Sequence, residues 1–186
     1  MGQMQNRRLT THPRRRPGRR RGGGFSMIEL LVAVLIMGIG VLGVTGLQMI
    51  SLQNNRDALL RSEAVQLAYG ILDRIRVNSA AGAASYGVAM NDDPPGAPNC
   101  IANACTPAQM VDFDLAMWKC TLGGHNTHAS CNALRAAGTI GAVAVQPGLP
   151  DGRGSIAIAV NGMVTVSVEW SDFSGATQTV DIESQG

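Results

Sequence analysis

The stretch Gly24-Phe-Ser-Met-Ile-Glu29, together with the apolar segment that follows it, decides the fold of this chain. Eight arginines precede the stretch, and Glu29 is the first acidic residue of the sequence. No charged residue occurs from 30 to 55. An ionised acid near the centre of a bilayer costs about 2.5–3.5 kcal/mol on insertion scales. Glu29 therefore needs a neutralising partner, and this need points to function.

The eighteen residues from 30 to 47 carry no charge and can span the hydrocarbon of a bilayer as a helix. The preceding arginines would hold the N-terminus in the cytoplasm by the positive-inside rule, which places the rest of the chain in the periplasm. An ordinary secretory signal fits less well, because the apolar run is too long and no Ala-x-Ala site follows it. A plain membrane anchor leaves Glu29 unexplained.

An amphipathic stripe continues the helix beyond the apolar segment. Its apolar residues recur at helical spacing and are Leu60, Ala64, Leu67, Ala68, Ile71 and Ile75. Asp57 and Arg61 are spaced for an i,i+4 ion pair on the helix surface. No proline interrupts this region. We predict one long N-terminal helix over 25–78, with a transmembrane part at 25–50 and an amphipathic part at 51–78.

Residues 79–186 are predicted to form a globular head. Thr106-Pro-Ala-Gln109 is a capping-box signature, which indicates the start of a short helix. From about 155 to 183, apolar and polar residues alternate along three strands, the first with Ile156, Ile158 and Val160 on its apolar face, and Asn161-Gly162 marks the first turn. An antiparallel sheet with one apolar face needs a cover, which the stripe of the long helix supplies. The predicted fold class is α+β.

The chain has four cysteines, and an even number in an oxidising periplasm predicts disulfides with three possible connectivities. We favour Cys100–Cys105 and Cys120–Cys131, because each bond closes a short loop between predicted elements. Zinc is disfavoured although histidines lie nearby, because the cysteine spacings lack a C-x2-C pair. No metal site is predicted, and His125 and His128 are interpreted as solvated loop residues.

Charge and motif content exclude several functions. The first 24 residues hold eight of the 15 basic residues and none of the 13 acidic ones, so the remainder carries 7 basic and 13 acidic groups, or −6. This balance argues against nucleic-acid binding by the part that follows the arginines. The sequence has no Ser/His/Asp or Cys/His grouping and no phosphate-binding glycine loop. We therefore expect no catalysis and no cofactor.

The stretch from Gly24 to Glu29 resembles the class III signal of type IV prepilins. The resemblance implies that 1–24 is a basic leader, which a prepilin peptidase removes by cutting between Gly24 and Phe25 and then methylating the Phe25 nitrogen. It also implies that Glu29 pairs with the new α-ammonium group, in its own or a neighbouring subunit, as subunits enter a filament. N-methylation keeps the positive charge, so this pair would neutralise Glu29.

Further segments resemble the PilV-type minor pilins, the type IV pilus modification proteins. These segments are Gly43–Gln48, Asn54–Arg56, Leu67–Tyr69, Asp73–Asn78, Cys105–Pro107, Asp114-Leu115, Trp118, Leu149-Pro150, Gly152 and Gly154. The similarity covers most of the chain after the leader. The chain departs from that family at Gly70, where an acidic residue is common, and by its additional Cys120/Cys131 pair.

The resemblance implies a type IV pilin-like fold and a minor pilin that is incorporated into type IV pili. Such a subunit helps initiate pilus assembly in a priming or tip complex, with twitching motility and cell adhesion as downstream effects. The implied partners are other minor pilins, the major pilin, the prepilin peptidase, the inner-membrane assembly platform and a tip adhesin. The protein would cross the inner membrane once with a periplasmic head, and later join the pilus.

Two other functions remain open. A minor pseudopilin of a type II secretion system shares the signal and the fold, and neighbouring genes would distinguish it. A membrane-anchored periplasmic binding module would recognise a ligand through its head alone. The acidic charge argues against DNA as that ligand, and the low aromatic content of 4% argues against a sugar.

Overall fold

The computed structural model describes residues 23–185, so most of the predicted leader lies outside the described residues. The described residues divide into two units, 23–46 and 47–185. The helices and strands, in chain order, are α1 (Met27–Val77), α2 (Pro107–Leu122), α3 (Ala129–Ala136), β1 (Arg153–Ile158), β2 (Met163–Ser171) and β3 (Thr177–Gln185). The predicted long N-terminal helix is confirmed, and its ends lie within two residues of the expected positions.

The described part of the first unit is an exposed apolar helix. Residues 23–46 are all exposed, including Met27 at 83% and Leu42 at 74%. α1 is long and apolar enough to cross a membrane. Contiguous apolar surface of this extent marks a contact with lipid or with another protein. The apolar part of α1 in this unit is not buried in a core, and its length and composition fit a membrane span.

The second unit packs the amphipathic part of α1 on a small antiparallel sheet. The strand order is β1-β2-β3, and Val166 of β2 faces Ile156 of β1 and Ile182 of β3. The buried residues of α1 in this core are Ala64, Ala68, Ile71, Leu72 and Ile75, and those of β2 are Val164, Val166, Val168 and Trp170. Alternation in β2 and helical spacing in α1 place these side chains on facing surfaces. The predicted α+β fold is confirmed.

The first hairpin turn is wider than the Asn161-Gly162 pair alone suggests. β1 ends at Ile158, and Val160, expected to continue its apolar face, lies fully exposed in the turn. The N–H of Gly162 donates to Ala159 at 2.9 Å, and the N–H of Ala159 donates to Met163 at 2.8 Å. Gly162 has a φ of 79°, which glycine adopts without strain. The loop therefore has one residue more than a two-residue hairpin turn, and the bulge that results turns Val160 away from the core.

The α2 helix begins at the predicted capping box. Thr106 Oγ1 accepts from the Gln109 N–H at 3.3 Å, and Gln109 Oε1 accepts from the Thr106 N–H at 2.9 Å. α3 was not predicted, because its eight residues are too few to display a helical period. Its N-cap is His128, whose Nδ1 accepts from the Ser130 N–H.

The structure has one disulfide in the segment before α2 and a second that joins α2 to α3. The bonds are Cys100–Cys105 and Cys120–Cys131, with Cα–Cα distances of 5.5 and 5.3 Å. Both distances lie in the usual range for a disulfide. These are the two bonds that the sequence analysis favoured because each closes a short stretch of chain. Cys120–Cys131 is buried in a second small core, in which α2 packs against α3.

Candidate assembly site

The predicted processing motif lies in an open segment before α1. Residues 23–26 are not helical, and Phe25 is 77% exposed. A Cβ placed on Gly24 would meet no heavy atom within 4 Å. Exposed, non-helical backbone of small residues is where proteolytic cleavage concentrates. The bond between Gly24 and Phe25 is therefore sterically open to a peptidase.

Glu29 occupies the first turn of α1. Its N–H donates to the Ser26 carbonyl at 3.0 Å, and the N–H of Leu30 donates to the same oxygen at 3.3 Å. A carboxylate at this position interacts favourably with the helix dipole, by about 0.3–1 kcal/mol. Among residues 23–185, no cation lies within ion-pair distance of Glu29. The dipole alone offsets only part of the insertion cost of this charge.

A hydrogen-bonded group, which we name the Asp114 network, ties the end of α1 to α2. Arg74 forms an ion pair with buried Asp114 at 2.7 Å, and the Tyr86 hydroxyl donates to the other carboxylate oxygen at 2.9 Å. Asn78 donates to Tyr86 Oη at 3.0 Å and to the Pro107 carbonyl at 2.9 Å. Burial raises the pKa of Tyr86 to about 12. The phenol therefore stays protonated and keeps its donor.

Trp118 makes a second polar contact between the same two helices. Its indole N–H donates to the Leu67 carbonyl of α1 at 3.0 Å. Gly154 of β1 lies against the indole ring, where a Cβ would come 2.5 Å from the ring carbons. The backbone of β1 can approach α2 at this point because the residue is glycine.

Lys119, which the sequence analysis did not single out, is fully buried. Its Nζ donates to the carbonyls of Ala89 and Met90 at 2.7 and 3.2 Å. Burial lowers the pKa of Lys119 to about 8, although the charges of Asp92 and Asp93 raise it in part. This ammonium holds the loop that precedes α2. The only sequence feature that pointed to this contact was a lysine next to Trp118 in the predicted α2 helix. Its acceptors could not be identified from that feature, because they lie about 30 residues away in the chain.

The prediction that both histidines are solvated is wrong for His125. Its side chain is 13% exposed, and burial lowers its pKa. The Nε2 atoms of His125 and His128 lie 4.0 and 3.9 Å from Asp93 Oδ1. His128 Nδ1 accepts a hydrogen bond from the backbone N–H of Ser130, so in the neutral ring the proton is on Nε2. A protonated ring nitrogen has no lone pair with which to bind a metal. In the part of the chain that the structure describes, no group of three or more such side chains could hold a metal.

Raising the pH from 8 to 10 is expected to increase the free energy of unfolding by about 2 kcal/mol. The pKa of Lys119 is about 8 in the folded protein against an ordinary value of 10.5. Between these values the unfolded chain holds a proton that the folded chain has released, so stability rises with pH and is lost as the pH falls toward 8. Thermal unfolding of the full-length chain in non-ionic detergent, followed by near-UV circular dichroism, measures the change.

Lys119→Met is the matched variant for this experiment, because it keeps the length of the side chain and removes the titrating group. Its stability should change little between pH 8 and 10. Tyr86 acts in the opposite sense, because its pKa is raised from 10.0 to about 12, but its effect is only about 0.4 kcal/mol by pH 10 and becomes large above it. A wild-type stability that stays flat or falls over this window would contradict the assignment, and so would an equal rise in the variant.

Within residues 23–185, one apolar helix of membrane length precedes an α+β head, and the predicted processing motif lies exposed before that helix. Residues 19–45 match the family model of the prokaryotic N-terminal methylation motif, and residues 46–116 match the model of the Tt1218-like family, type IV pilin Tt1218. No curated protein and no solved structure matches the chain. Two adjacent segments of the chain are therefore similar to type IV pilins, a family of structural proteins, and the apolar helix fits a single-pass inner-membrane anchor and a pilus component.

Proposed function

We propose that this chain is a minor pilin of the PilV type, which enters type IV pili and helps initiate their assembly in a priming or tip complex. The observation that carries the proposal is the contact between α1 and α2. Arg74 binds Asp114, Asn78 binds the Pro107 carbonyl, and Trp118 binds Leu67. Each of these positions belongs to a segment that resembles PilV-type pilins, so the resemblance includes residues that hold the head on the helix.

Maturation begins, in this proposal, with cleavage between Gly24 and Phe25 and methylation of the Phe25 nitrogen. In this proposal, 1–24 is the leader, 25–78 the helix and 79–186 the head. The new α-ammonium group lies four residues before Glu29, one turn away when the helix extends to the new terminus. This positive group would neutralise the carboxylate of Glu29, which the helix dipole stabilises only in part.

The head lies in the periplasm before assembly and in the pilus, close to its tip, afterwards. The two disulfides support this placement, because such bonds persist in oxidising compartments. The partners of the proposal are the prepilin peptidase, the inner-membrane assembly platform, other minor pilins, the major pilin and a tip adhesin.

The test is the location of a tagged full-length chain in cells that make type IV pili. We expect the chain in sheared pili, far below the amount of the major pilin, and we expect few surface pili when its gene is deleted. Complementation with the wild-type gene is the control. Absence from sheared pili, together with loss of protein secretion on deletion, would instead identify a minor pseudopilin of a type II secretion system.

A further inference from the structure

An exposed patch, which we name the Arg56 patch, lies on α1 a short distance beyond its predicted transmembrane part. It consists of Leu52, Arg56 and Leu59 of α1 and of Phe173 in the turn between β2 and β3. The three helix residues are spaced i, i+4 and i+7, so they share one face of the helix. Leu59 is 70% exposed and Phe173 is 60% exposed. Exposed apolar groups that gather in one place mark a contact with a membrane or with another protein.

Arg56 is the charged group of this patch. Its guanidinium carbon lies 5.7 Å from the ring centroid of Phe173, a distance at which a cation and an aromatic ring attract each other. Among residues 23–185, no acidic side chain lies within ion-pair distance of Arg56. The predicted ion pair between Asp57 and Arg61 is also wrong, since the two side chains form no ion pair in this part of the chain. The charge of Arg56 can therefore meet an anion outside the head.

The two hairpin turns of the sheet lie beside different parts of α1. The turn after β2 is next to Arg56, whereas Gly162, in the turn before β2, lines a cleft together with Arg76. Arg76 is 20 residues farther along α1 than Arg56, a rise of about 30 Å. Each turn carries one exposed apolar side chain, Phe173 in the second and Val160 in the first. These two side chains therefore differ in how far along α1 they lie from its apolar segment.

The distance of the patch from the predicted transmembrane part matches the depth of lipid headgroups. Arg56 lies six residues beyond position 50, where that part ends, and six residues of helix rise about 9 Å. The polar layer of a bilayer adds about 5–8 Å on each side of the hydrocarbon. An arginine side chain can bridge the difference, because its long stem lets the charge reach the interface. Leucine, phenylalanine and arginine are also the residues that interfacial helices present to this layer.

We propose that the Arg56 patch rests on the surface of the membrane that α1 spans. Arg56 binds lipid phosphate, and Phe173 enters the headgroup layer together with the two leucines of the patch. The patch selects lipid because it combines an unpaired cation with apolar side chains and continues a membrane-length helix. The contact holds one end of the head on the bilayer. The inference rests on the membrane anchor of the proposed function and goes beyond it, because the contact requires no pilus.

A photo-cross-linking phenylalanine analogue in place of Phe173 tests the proposal in the full-length chain. The chain is reconstituted into vesicles of phosphatidylethanolamine and phosphatidylglycerol and irradiated. We expect mass spectrometry to find the analogue joined to phospholipid. The matched control carries the same analogue in place of Val160, which is exposed in the other turn, and should give little or no lipid adduct. Both positions are exposed, so neither replacement disturbs the core.

Arg56→Gln, introduced into the chain with the analogue at 173, tests the charge of the patch. It should lower the yield of lipid adduct about fivefold, the factor that one arginine near an anionic lipid surface contributes. Arg76→Gln is the matched control, because Arg76 is a half-exposed arginine of the same helix beside the other turn. This second variant should leave the yield unchanged.

Four results would overturn the proposal: equal lipid adducts from positions 173 and 160, adducts at 173 that join only two copies of the chain, an unchanged yield with Arg56→Gln, or no lipid adduct from a chain that floats with the vesicles. None of these results bears on the presence of the chain in sheared pili, so the proposed function would stand. A chain that does not float with the vesicles would contradict the membrane span and this inference together.

Discussion

Replacing Gly24 with valine is expected to leave the leader uncut and to abolish entry of the chain into pili. The Gly24 site is open, with no atom within 4 Å of an added Cβ, so the substitution leaves the fold unchanged. Its effect falls on the peptidase, which must accommodate a branched side chain beside the bond that it cuts. Intact-mass measurement of the membrane-extracted chain distinguishes the uncut form from one that starts at methylated Phe25.

Gly23→Val is the control for this experiment, since Gly23 is equally open and lies one residue farther from the bond. We expect this variant to be cut and assembled. Detection of Phe25 as the N-terminus in the Gly24→Val chain would contradict the assigned cleavage site. An uncut Gly23→Val chain would mean that the peptidase requires glycine at both 23 and 24.

Replacing Glu29 with glutamine is expected to preserve membrane insertion and to lower incorporation into pili more than tenfold. Insertion becomes easier, because the variant removes a charge that costs about 2.5–3.5 kcal/mol at the bilayer centre. Incorporation loses the pair with the Phe25 α-ammonium. Two unit charges 4 Å apart attract by about 4 kcal/mol at an effective dielectric constant of 20, and a tenfold change needs only about 1.4 kcal/mol. Immunoblots of membrane and sheared-pilus fractions measure the two steps separately.

Glu29→Asp keeps the charge and serves as the control, with incorporation above that of the glutamine variant. Normal piliation with Glu29→Gln would refute the charge-pairing argument. Glu29→Gln and Glu29→Asp also test the proposed order in which cleavage precedes charge pairing. Before cleavage, Glu29 has no α-ammonium group at Phe25. In the proposed order of events, cleavage would supply that group, and the charge of Glu29 would be neutralised only then.

Local sequence patterns predicted the elements whose formation depends on neighbouring residues. The capping box at Thr106 and Gln109 formed as expected, because both partners lie within one helical turn. Alternation in β2 identified its buried face, since successive side chains of a strand point to opposite sides. Val160 was misplaced because alternation does not reveal where a strand ends and a bulged turn begins.

Contacts between residues distant in sequence could not be predicted. Arg74 meets Asp114 across 40 residues, and Trp118 meets Leu67 across 51. The burial of Lys119 and His125 depends on a loop that packs over them from another part of the chain. Asp57 and Arg61 had the right spacing for an ion pair, but spacing does not determine where a side chain turns once tertiary neighbours surround it.

The sequence by itself determined the membrane-length helix and the α+β class and predicted the processing motif at the start of that helix, because periodicity, charge and turn chemistry act over a few residues. Only the tertiary structure decided how α2 is held on α1 through Asp114 and Trp118, and which carbonyls the buried Lys119 contacts. Those outcomes depend on which distant polar groups meet when water is removed. A buried donor can form hydrogen bonds only with the acceptors that the packing of the whole head places beside it.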